Sequence, residues 1–446
     1  MRIKRVPVRA LKRALSSDPS IITSRLRRTK SVDLAQAWER FSPEERVRLF
    51  EALPEQYRLE VFEFLTIEFQ KELIKSLNTS QLADILDDMA PDDRADMFSG
   101  LEPGLAEKLL LLMDDDEARD VRDLLEYPES TAGGRMTTDF VALSPGMTAR
   151  DALSKLQESV KSEDIRNIYA VYTVDSEGRL LSGISLQRLL ACDPGDRLKD
   201  VTRPVDRIKI NVNQDQELVA ELFAHYDLLS APVVDDDDIL IGVLTIDDMV
   251  DVMQEELNED IAMRAGTEVV DFESGSILKS VRKRWVWLLT SFLGGLAAAV
   301  LIGFFEGALA QVTALAVFIP IIMDMGGNVG VQSSTVVVRR LAVSGGDFHW
   351  KDITSGELKA GLLMSAGFGI LLWLAASWRF SPEIGRASGL GIALALAIST
   401  VLGIFLPIFF SRHRIDPAVA TGPLITTAID VVGLGVYFLL ALWMVL

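Results

Sequence analysis

The sequence holds one cysteine, Cys192, and three scattered histidines, His225, His349 and His413. A single cysteine excludes a disulfide framework and a thiolate metal centre, and the histidines form no zinc set. No Gly-x-x-x-x-Gly-Lys-Ser/Thr loop is present, which argues against a nucleotide-driven pump. No nucleophile and base fall into a catalytic pattern, so the chain is not expected to be an enzyme. Positive charge is in deficit: 45 Lys and Arg face 64 Asp and Glu, for a net charge of −19. No nucleic-acid partner is expected at that balance.

The deficit is localised. From Trp285 onward there are 8 basic and 8 acidic residues. Residues 1–30 carry 10 basic residues and one acidic residue, Asp18, and residues 31–284 therefore stand near −28. A region that negative repels itself unless counter-ions occupy it. The first 30 residues lack the apolar run of a secretory signal. They read as a basic arm, either loose or lying near anionic lipid.

Five apolar stretches are long enough to cross a bilayer, which needs about 20 residues. They run Trp285–Phe305, Leu309–Leu341, Leu358–Trp378, Leu390–Phe410 and Ala418–Leu446, the second broken by Gly326-Gly327. Arg282, Lys283 and Arg284 precede the first span; Arg339, Arg340 and Lys351 follow the second; Arg412 and Arg414 follow the fourth. This alternation predicts a cytoplasmic N-terminus and an outside C-terminus.

Carboxylates within spans are costly and usually functional. Asp324 and Asp430 stand out, with no Lys or Arg in the middle of any span. Counted from Ala418, Asp430 lies about 18 Å into its helix, near the midplane. An unpaired carboxylate there needs a cation, a proton or water. Around Asp430 lie Pro417, Pro423, Thr426 and Thr427, and around Asp324 lie Gly326, Gly327, Asn328 and Gly330. Carbonyl and carboxylate oxygens are hard ligands suited to Mg2+ or Ca2+.

Residues 41–125 repeat every twelve positions. Phe41, Leu53, Leu65, Leu77, Met89, Leu101, Met113 and Leu125 mark the period, and Leu49, Val61, Leu73, Ile85, Met97, Leu109 and Val121 fall eight positions later. Polar residues or proline follow the first position, as in Leu53-Pro54 and Met89-Ala90-Pro91-Asp92, and predict a solenoid of short helices. Residues 136–255 instead hold two β-α-β-β-α units.

The second unit ends Gly242-Val243-Leu244-Thr245-Ile246-Asp247-Asp248, which resembles a CBS pair. With Gly326-Gly327-Asn328-Val329-Gly330 and Asp416-Pro417-Ala418-Val419-Ala420 ahead of Asp430, residues 35–446 resemble the MgtE magnesium channels. The resemblance implies a multidomain fold: a basic arm (1–34), an all-α superhelical domain (35–132), tandem α/β CBS domains (133–255), a connecting plug helix (256–283) and an all-α five-span pore domain (284–446). It implies a homodimer in the bacterial inner membrane that takes up Mg2+ and is closed by Mg2+.

By position, Asp430 would hold hydrated Mg2+ on the dimer axis and Asp416 would join cytosolic metal sites. Glu60, Asp92 and Asp96, Asp215, Glu217 and Asp227, Asp248 and Asp251, and Glu256, Glu259 and Asp260 would bind regulatory Mg2+. Spacing supports several of these: Asp92 and Asp96 are i,i+4, Asp248 and Asp251 are i,i+3, and like charges so placed destabilise a helix unless bridged. Asp92 is also a candidate N-cap. The family's CBS pair implies ATP, but Gly183-Ile184-Ser185-Leu186-Gln187-Arg188 has no Asp at the ribose-binding place, which argues against nucleotide binding. Asp324 matches no family ligand. Transport of Co2+, Mn2+ or Ca2+, and a non-conducting membrane metal sensor, remain the competing readings.

Overall fold

The turn signals of the twelve-residue repeat start helices in the computed structural model, which describes residues 6–17, 26, 29–161, 168–264, 277–343, 350–413, 415 and 422–445. Helices α1 (Val8–Ser17) and α2 (Ser31–Gln36) precede the repeat. The repeat itself forms α3 (Pro43–Glu51), α4 (Glu55–Glu63), α5 (Ile67–Ile74), α6 (Thr79–Asp88), α7 (Pro91–Ser99), α8 (Pro103–Leu110) and α9 (Asp115–Leu124). Proline at N1 starts α3, α7 and α8, where its missing N–H costs nothing. Ser42 adds a reciprocal cap on α3: its hydroxyl accepts from the Glu45 amide at 3.3 Å, and its own amide donates to Glu45 Oε2 at 2.8 Å.

The period marks the core. All fifteen repeat positions are buried or partly buried except Leu125, which closes the series and is 40% exposed. Burial of such side chains contributes roughly 1.5–3 kcal/mol each. The expected basic arm is not separate from this core along its whole length. Leu11, Ala14 and Leu15 on α1 pack into it, and Lys12 Nζ reaches Glu45 Oε2 at 2.6 Å. The helix is amphipathic, and its apolar stripe is what the short arm lends to the superhelix.

The short helix α10 (Ala132–Arg135) leads into two matched units. The first runs β1 (Ala142–Leu143), α11 (Ala149–Lys161), β2 (Ala170–Val174), β3 (Leu180–Ser185), α12 (Leu186–Leu190) and α13 (Leu198–Val201). The second runs β4 (Ile210–Asn211), α14 (Gln216–Tyr226), β5 (Ser230–Val234), β6 (Leu240–Thr245) and α15 (Ile246–Arg264). In each sheet the first strand is parallel to the second and the second antiparallel to the third. The glycines are not equivalent: Gly183 sits opposite Tyr172, where the second sheet pairs Val243 with Pro232, and Gly242 sits opposite Val233, where the first pairs Ser182 with Thr173. Tyr172 joins the units: it packs with Leu240 and Val243, and its hydroxyl lies 3.3 Å from Ser230 Oγ.

Two compact units divide the chain, Met1–Val252 and Met253–Leu446, so α15 runs through the boundary as one helix. The expected start of a plug helix at Glu256 thus falls inside α15, because no Gly or Pro interrupts residues 246–264.

The second unit contains α16 (Ile277–Phe304), α17 (Glu306–Gln311), a 3-10 turn (Thr313–Phe318), α18 (Ile319–Val343), α19 (Trp350–Arg379), α20 (Pro382–Arg412) and α21 (Pro423–Val445). Five segments are long and apolar enough to cross a membrane: Arg284–Phe304, Thr313–Leu341, Thr354–Arg379, Pro382–Arg412 and Pro423–Val445. The protein is a multi-pass membrane protein.

The predicted break at Gly326-Gly327 does not occur. α18 is continuous through both glycines, and the irregular backbone is the 3-10 turn before it. The glycines serve packing instead. A Cβ on Gly330 would lie 2.0 Å from Ile429 Cδ1, and one on Gly403 would lie 2.5 Å from the Gly330 carbonyl oxygen. These notches let α18, α20 and α21 meet closely, which seats Ile429 and so fixes its neighbour Asp430.

Candidate metal sites

In the membrane unit, α21 carries Asp430 half-buried, one residue after the fully buried Ile429. The helix begins at Pro423, not Ala418, so Asp430 is seven residues in, or about 10 Å from the start rather than 18 Å. This corrects the expected depth: Asp430 lies nearer the N-terminal end of its helix than its middle. Residues 416–421, with Asp416, lie outside the described residues. On α18, Asp324, Asn328 and Gln332 share one exposed face at helical spacing, while Ile322 and Val329 are buried. Sequence reasoning passed over Glu357 at the start of the third span. Its carboxylate accepts from Ser333 on α18 at 3.0 Å.

In the first unit, carboxylates gather in a seam between α7 of the helical domain and the β6–α15 corner of the second CBS unit. Asp92 is not the N-cap of α7. Ala90 holds that position and Asp92 is the second helical residue, where the dipole still favours its charge. Its carboxylate accepts from the Thr137 hydroxyl and lies in the field of Asp247; burial pushes its pKa up. Asp248 is pushed up to about 7 by burial, then by Asp92, Asp247 and Asp96. Asp93 is pushed up to about 8 by surrounding protein, then by Asp92, Glu63, Asp248 and Asp96, although its side chain still reaches solvent.

Thr245 Oγ1 lies 2.6 Å from Asp248 Oδ2 and also contacts Asp247 Oδ1. A hydroxyl has one proton, so it donates to one of the two carboxylates at a time.

The structure brings together only part of the expected set. Asp92, Asp96 and Asp248 meet in the seam. Asp251 is exposed one turn further along α15. Glu60 is exposed on α4, whereas Glu63 on the same helix acts on the seam. Asp215 caps α14, accepting from the Glu217 amide at 2.9 Å, and Asp227 closes the other end of α14 in the left-handed conformation. Asp215 and Glu217 are thus split from Asp227 by the length of α14, about 16 Å. Glu256, Glu259 and Asp260 follow on α15 within the second unit.

Asp93, Asp247, Glu63 and Thr245 were missed. The doublets Asp92-Asp93 and Asp247-Asp248 were the available signal. Among the described residues, no three His, Cys, Asp or Glu form a closed metal cage.

A pH dependence follows. A carboxyl raised in the fold stabilises it below its unfolded pKa of roughly 4. That contribution is lost as pH climbs through about 7 for Asp248, whereas solvent at the exposed Asp93 offsets most of its share. Mg2+ takes ionised carboxylates, so it opposes this loss at the upper end and releases protons on binding. The Mg2+-induced rise in thermal midpoint of the full chain is expected to be larger at pH 8 than at pH 6. An equal rise at both would count against the seam as a metal site.

Known proteins carry the same parts in the same order. Residues 319–440 match the MgtE family of divalent cation transporters, residues 29–130 the MgtE intracellular N domain, and residues 132–192 and 198–255 the CBS domain. Magnesium transporter MgtE of Thermus thermophilus is 34% identical over 358 residues, covering 78% of each chain. The chain belongs to the MgtE family. Magnesium transporter MgtE of Enterococcus faecalis is 35% identical over 329 residues, 73% of this chain and 72% of that one. Among solved structures, the cytosolic domain of the Mg2+ channel MgtE in complex with ATP matches with a TM-score of 0.51 at 31% identity, covering 56% of this chain and 98% of that one. This is the MgtE arrangement of helical domain, CBS pair and membrane helices.

Proposed function

We propose that this MgtE-family chain conducts Mg2+ through its membrane unit past Asp430, and that Mg2+ filling the acidic seam closes it. The observation that carries the reading is the Asp430 carboxylate, set in an apolar span with no Lys or Arg in the middle of any span. Its relatives over most of their length are magnesium transporters. Mg2+ gives up its water reluctantly, so a carboxylate beside threonine hydroxyls and backbone carbonyls takes the hydrated ion. The membrane potential supplies about 2.3 kcal/mol per charge per 100 mV, roughly twice that for a divalent ion. The N-terminus faces the cytoplasm, following the basic loops.

The working form is a homodimer. The exposed Asp324, Asn328 and Gln332 face is unsuited to lipid. A second copy covers it and leaves a polar path between the two chains. When cytosolic Mg2+ is scarce, the seam carboxylates repel and the helical domain separates from the CBS pair. When it is abundant, Mg2+ bridges them, and α15, with Asp248, Asp251, Glu256, Glu259 and Asp260, carries the change toward the membrane unit. This is a population shift by a ligand that favours one state.

A cleft lined by Asp139, Phe140, Tyr169, Tyr172, Ser230 and Thr245 lies beside the first CBS sheet. Its walls include Phe140, Tyr169 and Tyr172 and, among the described residues, no Lys or Arg.

Ion flux into liposomes carrying the full chain tests the proposal. Mg2+ is expected to enter faster than Ca2+, Mn2+ or Co2+. Equal flux of another metal would move the selectivity, and no flux would make the chain a sensor.

A further inference from the structure

Arg135 is a cation set at the edge of the acidic seam. Its Nε donates to the Glu129 carbonyl at 3.1 Å and to Gln216 Oε1 at 3.0 Å. Its Nη1 lies 3.8 Å from Asp96 Oδ2, an ion-pair distance. The Arg135 side chain is 19% exposed and that of Asp96 52%. One guanidinium therefore touches three parts of the unit: α7 of the helical domain, the segment leading into α10, and the start of α14 in the second CBS unit. Asp96 is also the carboxylate whose field reaches Asp93 and Asp248. The positive charge beside it is felt by any cation in the seam.

We propose that Arg135 is a tethered competitor of the divalent cation, occupying Asp96 and setting the Mg2+ concentration at which the seam fills. This rests on the seam being the regulatory Mg2+ site. Glu129 and Gln216 hold the fork in place, so the charge stands against Asp96 with little ordering cost at the moment of pairing. Mg2+ must share Asp96 with the guanidinium or displace it. Either way the seam binds the ion less tightly than its carboxylates alone would. Arg135 is a positioning residue here: it acts on the metal through Asp96.

The test uses the full chain in lipid nanodiscs, with protease protection of the first unit followed against Mg2+ concentration. Arg135→Gln is expected to lower the half-protection concentration by about three- to tenfold, since a partly exposed pair has a modest strength and acts on a doubly charged ion. Arg135→Lys keeps the charge and is expected to stay within about twofold of wild type. In an Asp96→Asn background, Arg135→Gln is expected to shift the midpoint far less, the signature of coupling between the two residues. A purely structural role would instead lower protection at every Mg2+ concentration. If the Arg135→Gln midpoint is unchanged or higher while wild type responds to Mg2+, the competitor is overturned and the seam stands. If wild type shows no Mg2+-dependent protection, the seam reading fails and takes the competitor with it. Should Arg135→Gln not fold, Arg135→Lys decides, because a fall of more than about threefold with the charge retained contradicts the proposal.

Discussion

Asp430→Ala is expected to lower Mg2+ flux by about two orders of magnitude while the protein still assembles in the membrane. Two unit charges 4 Å apart interact by about 4 kcal/mol at an effective dielectric near 20. A divalent ion doubles that, and water in the path takes much of it back. A net loss near 3 kcal/mol is roughly a hundredfold. Asp430→Asn keeps the size and hydrogen bonding of the side chain and removes only its charge, so it is expected to behave like alanine. Asp430→Glu keeps the charge but moves it by one methylene, and partial flux is expected. Normal Mg2+ flux through Asp430→Ala would remove Asp430 from the path. The notch at Gly330, which receives the neighbouring Ile429, is untouched by these variants, so they are expected to fold.

Arg94→Ala is expected to be the most destabilising single change in the helical domain. Arg94 is 1% exposed on α7. Its Nη2 donates to the Asp87 and Met89 carbonyls, at 3.1 and 2.6 Å, and its Nη1 pairs with Glu117 on α9. Truncation leaves two carbonyls and a carboxylate without their donor and opens a cavity. Breaking a buried pair costs about 3–5 kcal/mol. Glu117 is 36% exposed, so the loss is placed at about 3 kcal/mol, or a fall in thermal midpoint of roughly 10 °C or more for a domain of this size. Arg94→Lys is expected to recover part of it, since an ammonium replaces the charge but not the fork. A midpoint within about 2 °C of wild type for Arg94→Ala would contradict this account.

How much of this was legible follows from what periodicity encodes. The twelve-residue spacing marked the core because each short helix turns the same face inward; fourteen of its fifteen positions avoid full exposure. The two β-α-β-β-α units were legible because strand runs and helix runs alternate twice. The five spans were legible because lipid demands long apolar runs. Spacing along one helix, however, does not say what faces that helix. Asp92 and Asp96 were visible as a pair, but Asp247 and Asp93 entered only when the β6–α15 corner met α7. Glu63 replaced Glu60 in the seam because it is one turn nearer the end of α4. Arg135 carried no signal, since its partners Asp96 and Gln216 lie 39 and 81 positions away. The start of α21 was misplaced because Ala418–Thr421 is as apolar as a helix, while Pro423 at its first position sets the described start.

The central claim is a Mg2+ path closed by Mg2+ on its cytosolic side. The most direct test is the liposome flux of the full chain with Mg2+ stepped on the cytosolic face alone. Flux is expected to fall as cytosolic Mg2+ rises, and Asp92→Asn with Asp248→Asn is expected to need far more Mg2+ for the same fall. Flux that ignores cytosolic Mg2+ in the wild type, or a double variant that closes like the wild type, would contradict the account.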